Sequence, residues 1–312
     1  MLNTFAQDVL SGLGSLPKSL PSHCLYNSVG SAIFQSICEM PEYPLYRAER
    51  ENLHHHGPHF ANLLPDEFLL IEPGAGDCTK TCFLIDALLR SNKSFSYIPA
   101  DIDGATVAEA TTSVTAHFGS KVAVKPKNLE FTELLAWIAT VKEQIVMPFL
   151  GSTIGNFGAN GASQKLHAFR EVLKRGDHVL LGFALDRDPK LIQLSYSDPK
   201  KITASFNLNL LTRMNKELGA TFDLKAFCHW TRYDRETKSI HSYLMSLRNQ
   251  RIFVEQLGEY FEFMKGELIK TESSTQYTID EMVEIAREAG FAADPFYCDH
   301  QLTMCDMLLT AT

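Results

Sequence analysis

The chain has 312 residues, of which 45% are hydrophobic and 21% charged. That composition excludes disorder as the dominant state and suits a soluble globular protein of one large domain or two modest ones. Lys plus Arg number 29 against 37 Asp plus Glu, and a formal net charge of -8 argues against a surface built to hold a nucleic-acid backbone. The seven cysteines, at 24, 38, 78, 82, 228, 298 and 305, form no CxxC pair. They suit a reducing compartment better than a disulfide framework or a zinc ribbon, and no metal is expected. The first eight residues lack a basic segment followed by a long apolar run, so no signal peptide is expected. No apolar stretch approaches the roughly 18 residues of a membrane-spanning helix. The expectation is a cytoplasmic monomer that acts on a small molecule, with no nucleic-acid or membrane partner.

The first clear strand is Phe68-Leu69-Leu70-Ile71, which runs into Glu72-Pro73-Gly74-Ala75-Gly76. A helix follows from Thr79, with Phe83, Leu84, Ala87 and Leu88 at helical spacing. A second strand at 95–100 ends at Asp101, and residues 105–118 read as helix. Short strands are expected at 122–124 and 144–150, with a helix over 134–138 between them. A helix at 166–173 closes at Gly176-Asp177, and a fifth strand covers 178–183. Strands that are nearly continuous apolar runs, alternating with helices, imply a parallel sheet covered on both faces. The alternation stops near Asp186. Residues 190 to about 232 read as helical, 239–247 and 251–269 as antiparallel strands, and 280–289 as helix. A terminal strand pair near 296–298 and 302–304 would close the first sheet. The α/β domain is thus interrupted, with 49–189 plus 277–312 expected as one domain and 1–48 plus 190–276 as the other. His54-His55-His56, with His59, reads as a solvated helix face, because consecutive helical residues point in different directions.

Gly74-Ala75-Gly76 lets the backbone approach a ligand at a helix N-terminus. A dinucleotide fingerprint needs a third glycine where Thr79 stands, which disfavours a nicotinamide cofactor. Asp101 at the next strand end can accept hydrogen bonds from two ribose hydroxyls. Glycine turn plus strand-end aspartate fits S-adenosylmethionine, which has no pyrophosphate. The same residues fit a tight strand–helix turn beside a surface aspartate, and on local grounds both stand.

The ordered series is more specific. Tyr26-Asn27-Ser28-Val29-Gly30-Ser31-Ala32-Ile33-Phe34, Met40-Pro41-Glu42-Tyr43, the glycine turn through Lys80-Thr81, and Phe149-Leu150-Gly151-Ser152-Thr153-Ile154-Gly155-Asn156-Phe157 come first. Ser195-Tyr196-Ser197-Asp198, Phe206-Asn207-Leu208-Asn209-Leu210-Leu211, Asn215-Lys216-Glu217-Leu218 and the stretch from Gly266-Glu267 to Thr271-Glu272-Ser273-Ser274 follow. Across nearly the whole chain this resembles the histidine-specific Nα-methyltransferases of ergothioneine biosynthesis. The resemblance implies an α/β fold: a Rossmann-like class I S-adenosylmethionine-dependent methyltransferase domain with an inserted α+β substrate-binding domain. It implies S-adenosylmethionine as donor, the histidine α-amine as acceptor, and up to three transfers that end in hercynine.

By the same resemblance Gly74, Gly76 and Lys80 hold the methionine end of the cofactor, Asp101 the ribose, and Glu130-Phe131 the adenine, where the family usually has Asp-Phe. Tyr26 and Asn156 are the catalytic pair. Tyr43, Gly151, Asn156 and Tyr196 surround the amino acid's carboxylate and amine, and Glu272 with Ser274 reads the imidazole. The residue types suit the task, since neutral hydrogen-bonding groups orient an amine without trapping it as ammonium. Aromatic faces tolerate a growing methylammonium. Read singly, Tyr26 and Tyr43 would be core tyrosines, Asn156 a helix cap and Glu272 a surface strand residue. Three segments depart from the family pattern: Tyr43-Pro44-Leu45-Tyr46-Arg47, Ala184 in place of the common Asp, and Ile240-His241-Ser242 in place of Ile-Glu-Met. They leave open a tryptophan-like or modified amino acid as acceptor; a non-catalytic cofactor-binding protein is the reading from a different class.

Overall fold

The computed structural model describes residues 2–158 and 160–312. Its chain forms two units. The first runs from the N-terminus to Pro44 and adds Arg187–Thr275; the second is Leu45–Asp186 with Gln276–Thr312. The breaks at 44/45 and 186/187 precede the 48/49 and 189/190 expected from sequence. The first lies at the start of the helix Leu45–Leu63, which buries Leu45, Ala48, Glu49, Asn52 and Leu53 from its first turns.

In the second unit the main sheet has the order Phe291–Cys298, Met304–Ala311, His178–Ala184, Ile145–Phe149, Glu67–Pro73, Ser94–Asp101, Ala123–Val124, with Lys127–Asn128 also on Ser94–Asp101. Pairings from His178–Ala184 to Ala123–Val124 are parallel, while Met304–Ala311 runs antiparallel to both of its neighbours. The central strands are buried along almost their whole length: every residue of Ile145–Phe149 and His178–Ala184 is buried. This follows from helices covering both faces, and it explains why these strands read as unbroken apolar runs. One core gathers Ile71, Met147, Phe149, Phe169 and Phe183; another gathers Leu70, Leu84, Leu88, Tyr97 and Val114. Local signals place the helix starts. Asp103 accepts from the Ala105 and Thr106 amides at 3.2 and 3.3 Å, and Thr278 with Glu281 forms a capping box at Ile279–Glu288. The terminal pair is longer than the sequence suggests: its strands are Phe291–Cys298 and Met304–Ala311. Leu302, expected in a strand, lies in the connection at φ +52°.

The first unit contains a four-stranded sheet ordered Lys18–Ser19, Leu268–Thr275, Ser239–Ser246, Phe227–Asp234, and a separate hairpin of Gln250–Val254 with Glu259–Phe263. Helices Ser28–Cys38, Pro189–Tyr196 and Ile202–Leu218 belong to this unit. The helical reading of 190–232 holds only to Leu218; Phe227–Asp234 is a strand. Phe227, Trp230, Thr231 and Tyr233 are aromatic or β-branched and pair residue by residue with Ser239–Ser246, so cross-strand packing decides against helix. Among the described residues no helix is long and apolar enough to cross a membrane.

Candidate active site

The glycine turn is built from backbone. Gly74 and Gly76 adopt φ of +67° and +55°, and the turn is clamped by Gly74 N–H donating to Ala100 O at 2.8 Å. A Cβ added at either glycine would meet nothing within 4 Å, so open space lies over the turn at the start of Thr79–Arg90. Asp101 ends the adjacent strand, half-buried, with Oδ1 accepting from the Asp103 amide at 3.0 Å. Burial pushes its carboxyl above the usual range, against the pull of that amide. Ile102 next to it is a large apolar side chain left 51% exposed, a feature the sequence reading passed over. Glu130 caps Phe131–Ile138 in a capping box with Glu133, and the Phe131 ring lies against Phe169, with Lys165 Nζ 3.6 Å from its centroid.

Beneath the turn lies a buried acid that sequence reasoning also missed. Glu72 accepts from Thr81 Oγ1 and Tyr97 Oη, both at 2.5 Å, and burial pushes its carboxyl up to about 7. Lys80 Nζ donates to Glu49 Oε2 at 2.5 Å, while Glu49 Oε1 accepts from Gly151 N at 2.6 Å. Gly151 and Ser152 take φ of +80° and +57° and lead into the short helix Thr153–Phe157, which carries Asn156, half-buried. Glu72 directly precedes the glycine turn and Glu49 lies in the helix Leu45–Leu63, but the partners that give each its role are revealed only by tertiary proximity.

The first unit gathers side chains from four separated segments. Tyr26 follows a turn at Ser22–Leu25, Tyr43 follows Met40, Tyr196 ends Pro189–Tyr196, and Glu272 and Ser274 share one face of Leu268–Thr275. Their rings form an edge-to-face chain: Tyr26 to Phe34 at 5.4 Å, Phe34 to Tyr43 at 6.2 Å, Tyr43 to Tyr196 at 6.2 Å. Ser274 hydrogen bonds with the Tyr196 hydroxyl. Burial, then Glu272, pushes the Tyr26 hydroxyl well above the ordinary tyrosine value; burial and Tyr196 do the same to Tyr43. All three phenols are therefore neutral near pH 7. Burial alone raises the Glu272 carboxyl to about 7. Tyr26 nonetheless keeps 36% of its surface exposed, and Glu272 is only half-buried. A cluster of such groups, shifted by burial yet partly accessible, marks a candidate functional site. The cross-strand partner of Glu272 is Ser242, whose fully buried hydroxyl has no hydrogen-bond partner.

Of the expected residues, the structure brings Tyr26, Tyr43, Tyr196, Glu272 and Ser274 together in the first unit. Gly74, Gly76, Lys80, Asp101, Glu130, Phe131, Gly151 and Asn156 lie in the second. The histidine run sits on Leu45–Leu63, with His54, His55 and His59 exposed, and it forms no metal-ligand cluster. Among the described residues the one candidate group of metal-ligand types is Asp8, His23 and Cys24.

The strand order, with its last strand reversed, and the glycine turn facing a strand-end aspartate define the second unit as a Rossmann-like class I methyltransferase domain. The model of the histidine-specific, S-adenosylmethionine-dependent methyltransferases matches residues 5–311, and the chain belongs to that family. It is 35% identical to a histidine N-alpha-methyltransferase of Mycobacterium tuberculosis, over 87% of this chain and 84% of that protein. Identity to the histidine N-alpha-methyltransferase of Mycolicibacterium smegmatis is 32%, over 94% and 90% of the two chains. It is also 28% identical to ergothioneine biosynthesis protein 1 of Schizosaccharomyces pombe, over 93% of this chain and 39% of that protein. The protein is an S-adenosylmethionine-dependent methyltransferase. The open glycine cradle and the strand-end carboxylate fit that cofactor.

Proposed function

We propose that the enzyme methylates the α-amino nitrogen of L-histidine, in up to three transfers that end in the betaine hercynine, a step of ergothioneine biosynthesis. The observation that carries the acceptor is Glu272 beside Ser274 in a cluster of neutral tyrosines. A carboxylate that accepts one imidazole N–H and a hydroxyl that serves the other ring nitrogen together match imidazole and no other proteinogenic ring. Bound S-adenosylmethionine supplies an electrophilic methyl on a sulfonium. Gly74 and Gly76 would leave room for its methionine end, Lys80 would pair with the methionine carboxylate, Asp101 would accept from the ribose hydroxyls, and Glu130 and Phe131 would border the adenine.

The nucleophile is the neutral amine, and in-line transfer would need it roughly 3 Å from the methyl carbon. Asn156 and Tyr26 orient it: the Asn156 amide oxygen accepts an amine N–H, and the Tyr26 hydroxyl, held neutral by its surroundings, bonds without taking the proton. The hydroxyls of Tyr43 and Tyr196 and the Gly151 backbone hold the amino acid at its carboxylate end. After each of the first two transfers the substituted ammonium loses a proton to water before the next; the third product keeps its charge. The tyrosine faces stabilise these cations by roughly 0.5–2 kcal/mol and admit added methyls. We place the enzyme in the cytoplasm, a reducing compartment in which its seven free cysteines stay unpaired. The small Ser242 opposite Glu272 supports a second reading, an indole-bearing or modified amino acid as acceptor. Initial rates over a panel of amino acids decide: histidine should exceed tryptophan in kcat/KM by at least about tenfold, the low end for a buried polar group left unpaired. The reverse order overturns the assignment.

A further inference from the structure

We infer that Glu49 is a positioning residue for the methyl transfer: one buried carboxylate that sets both the Lys80 ammonium and the loop that carries Asn156. The inference rests on the reading of Lys80 as the partner of the cofactor's methionine carboxylate.

Glu49 is fully buried on the helix Leu45–Leu63, yet its two oxygens go to two distant segments. Oε2 accepts from Lys80 Nζ at 2.5 Å and Oε1 from the Gly151 amide at 2.6 Å. A buried carboxylate is tolerated only when paired and hydrogen-bonded, and both conditions are met here by groups of the proposed site. The strand His178–Ala184 is shaped to admit it: a Cβ at Gly182 would collide with Oε1, so any side chain there would displace the carboxylate. Asp306, also fully buried, does not compete for the lysine. Burial and the nearby Glu49 charge hold its carboxyl well above the usual range, which leaves Lys80–Glu49 as the ion pair of this cluster.

The consequence for Lys80 is a fixed ammonium. Its side chain keeps 19% exposure, with the Tyr46 ring centroid 5.8 Å from Nζ. A lysine otherwise samples many rotamers, so anchoring it before the cofactor arrives removes an ordering cost from binding. At Gly151 the consequence is geometric. Gly151 and Ser152 both take positive φ, a conformation that serine adopts only under external hold. That hold comes from Glu49 on the Gly151 amide and from the Ser152 hydroxyl, which accepts from Ala184 N at 2.9 Å. The next residues form Thr153–Phe157, so displacement at Gly151 is passed to Asn156 within one short helix. Glu49 thus reaches the donor through Lys80 and the acceptor amine through Gly151.

Two variants separate these arms. Glu49→Gln keeps an oxygen for the Gly151 amide and loses the charge that holds Lys80; Glu49→Ala loses both. Calorimetry with S-adenosylhomocysteine should show Glu49→Gln weakening affinity about tenfold, while kcat at saturating cofactor changes less than about threefold. Glu49→Ala should weaken affinity similarly and cut kcat by at least about tenfold, with binding and turnover read separately. In a Lys80→Met background Glu49→Gln should change affinity less than about twofold, since the two residues act as a unit. Equal affinity of Glu49→Gln and wild type, or the same tenfold loss without Lys80, overturns the inference. If Lys80→Met itself leaves affinity unchanged, the assignment of Lys80 falls, and the cofactor arm of Glu49 falls with it. None of the affinity measurements involves histidine, so they stand apart from the acceptor assignment. Hydrogen exchange of the wild-type protein provides a test independent of how the variants fold: the Gly151 amide should be protected at least about a hundredfold, and exchange at the free-peptide rate contradicts the bond to Glu49.

Discussion

The two units present binding groups made of different material. In the second unit the candidate donor site is largely backbone: two glycines at positive φ, a turn clamped to Ala100 and a carboxylate fixed at a strand end. The acceptor groups that the first unit supplies are side chains, three neutral tyrosines and an acid raised to about 7, drawn from four segments between Tyr26 and Ser274. Backbone sites demand particular residues at fixed local offsets, because only glycine accepts those dihedrals without cost. Side-chain sites demand only that the fold converge. The first kind tolerates little change in sequence, and the second can be retuned for another acceptor by one or two substitutions.

Substitutions should respect this division, and the acceptor side should give the largest effect. Glu272→Ala is expected to reduce kcat/KM for histidine by about 10–100-fold, given roughly 1.5–3 kcal/mol for a charge-assisted hydrogen bond. Affinity for S-adenosylhomocysteine should be unchanged, and the gap between histidine and tryptophan should narrow. Full histidine activity in this variant would remove Glu272 from the acceptor site. On the donor side, Asp101→Ala should weaken S-adenosylhomocysteine binding by at least ~1.5 kcal/mol in calorimetry, with histidine preference over tryptophan unaltered. A changed acceptor preference there would break the division. The smallest effect is one of pH. Because burial holds the Glu272 carboxyl near 7, it is ionised above that value and protonated below it. Its bond to an imidazole N–H is therefore lost as pH falls through 7. Histidine affinity, measured with S-adenosylhomocysteine present, should drop severalfold between pH 8 and about pH 6, and Glu272→Gln should flatten that limb. An identical slope in the variant would assign the titration elsewhere.

The same division governed what could be read from the chain. The α/β alternation from Phe68 to Phe183 was legible because each buried strand is a contiguous apolar run with turn residues at its ends. Gly74, Gly76 and Asp101 were legible as a local pattern. Tyr43, Tyr196 and Glu272 carry no local mark, and only the ordered family resemblance singled them out. Glu49 and Glu72 stayed hidden because their partners are tertiary: Lys80 and Gly151 lie far along the chain from Glu49, and Tyr97 meets Glu72 across neighbouring strands. The helical expectation for 190 to about 232 fails at Phe227–Asp234 because the β character of that strand comes from pairing with Ser239–Ser246, which a periodicity count over one segment does not see.

The central claim is that this S-adenosylmethionine-dependent methyltransferase methylates one nitrogen of histidine, the α-amine. Mass spectrometry with fragmentation of the product formed from L-histidine and S-adenosylmethionine tests it most directly. The account predicts methyl groups on the α-nitrogen alone, accumulating to the trimethylated betaine with an unmodified imidazole ring. Methylation on a ring nitrogen, or no methylated histidine under conditions where another amino acid is methylated, would contradict it.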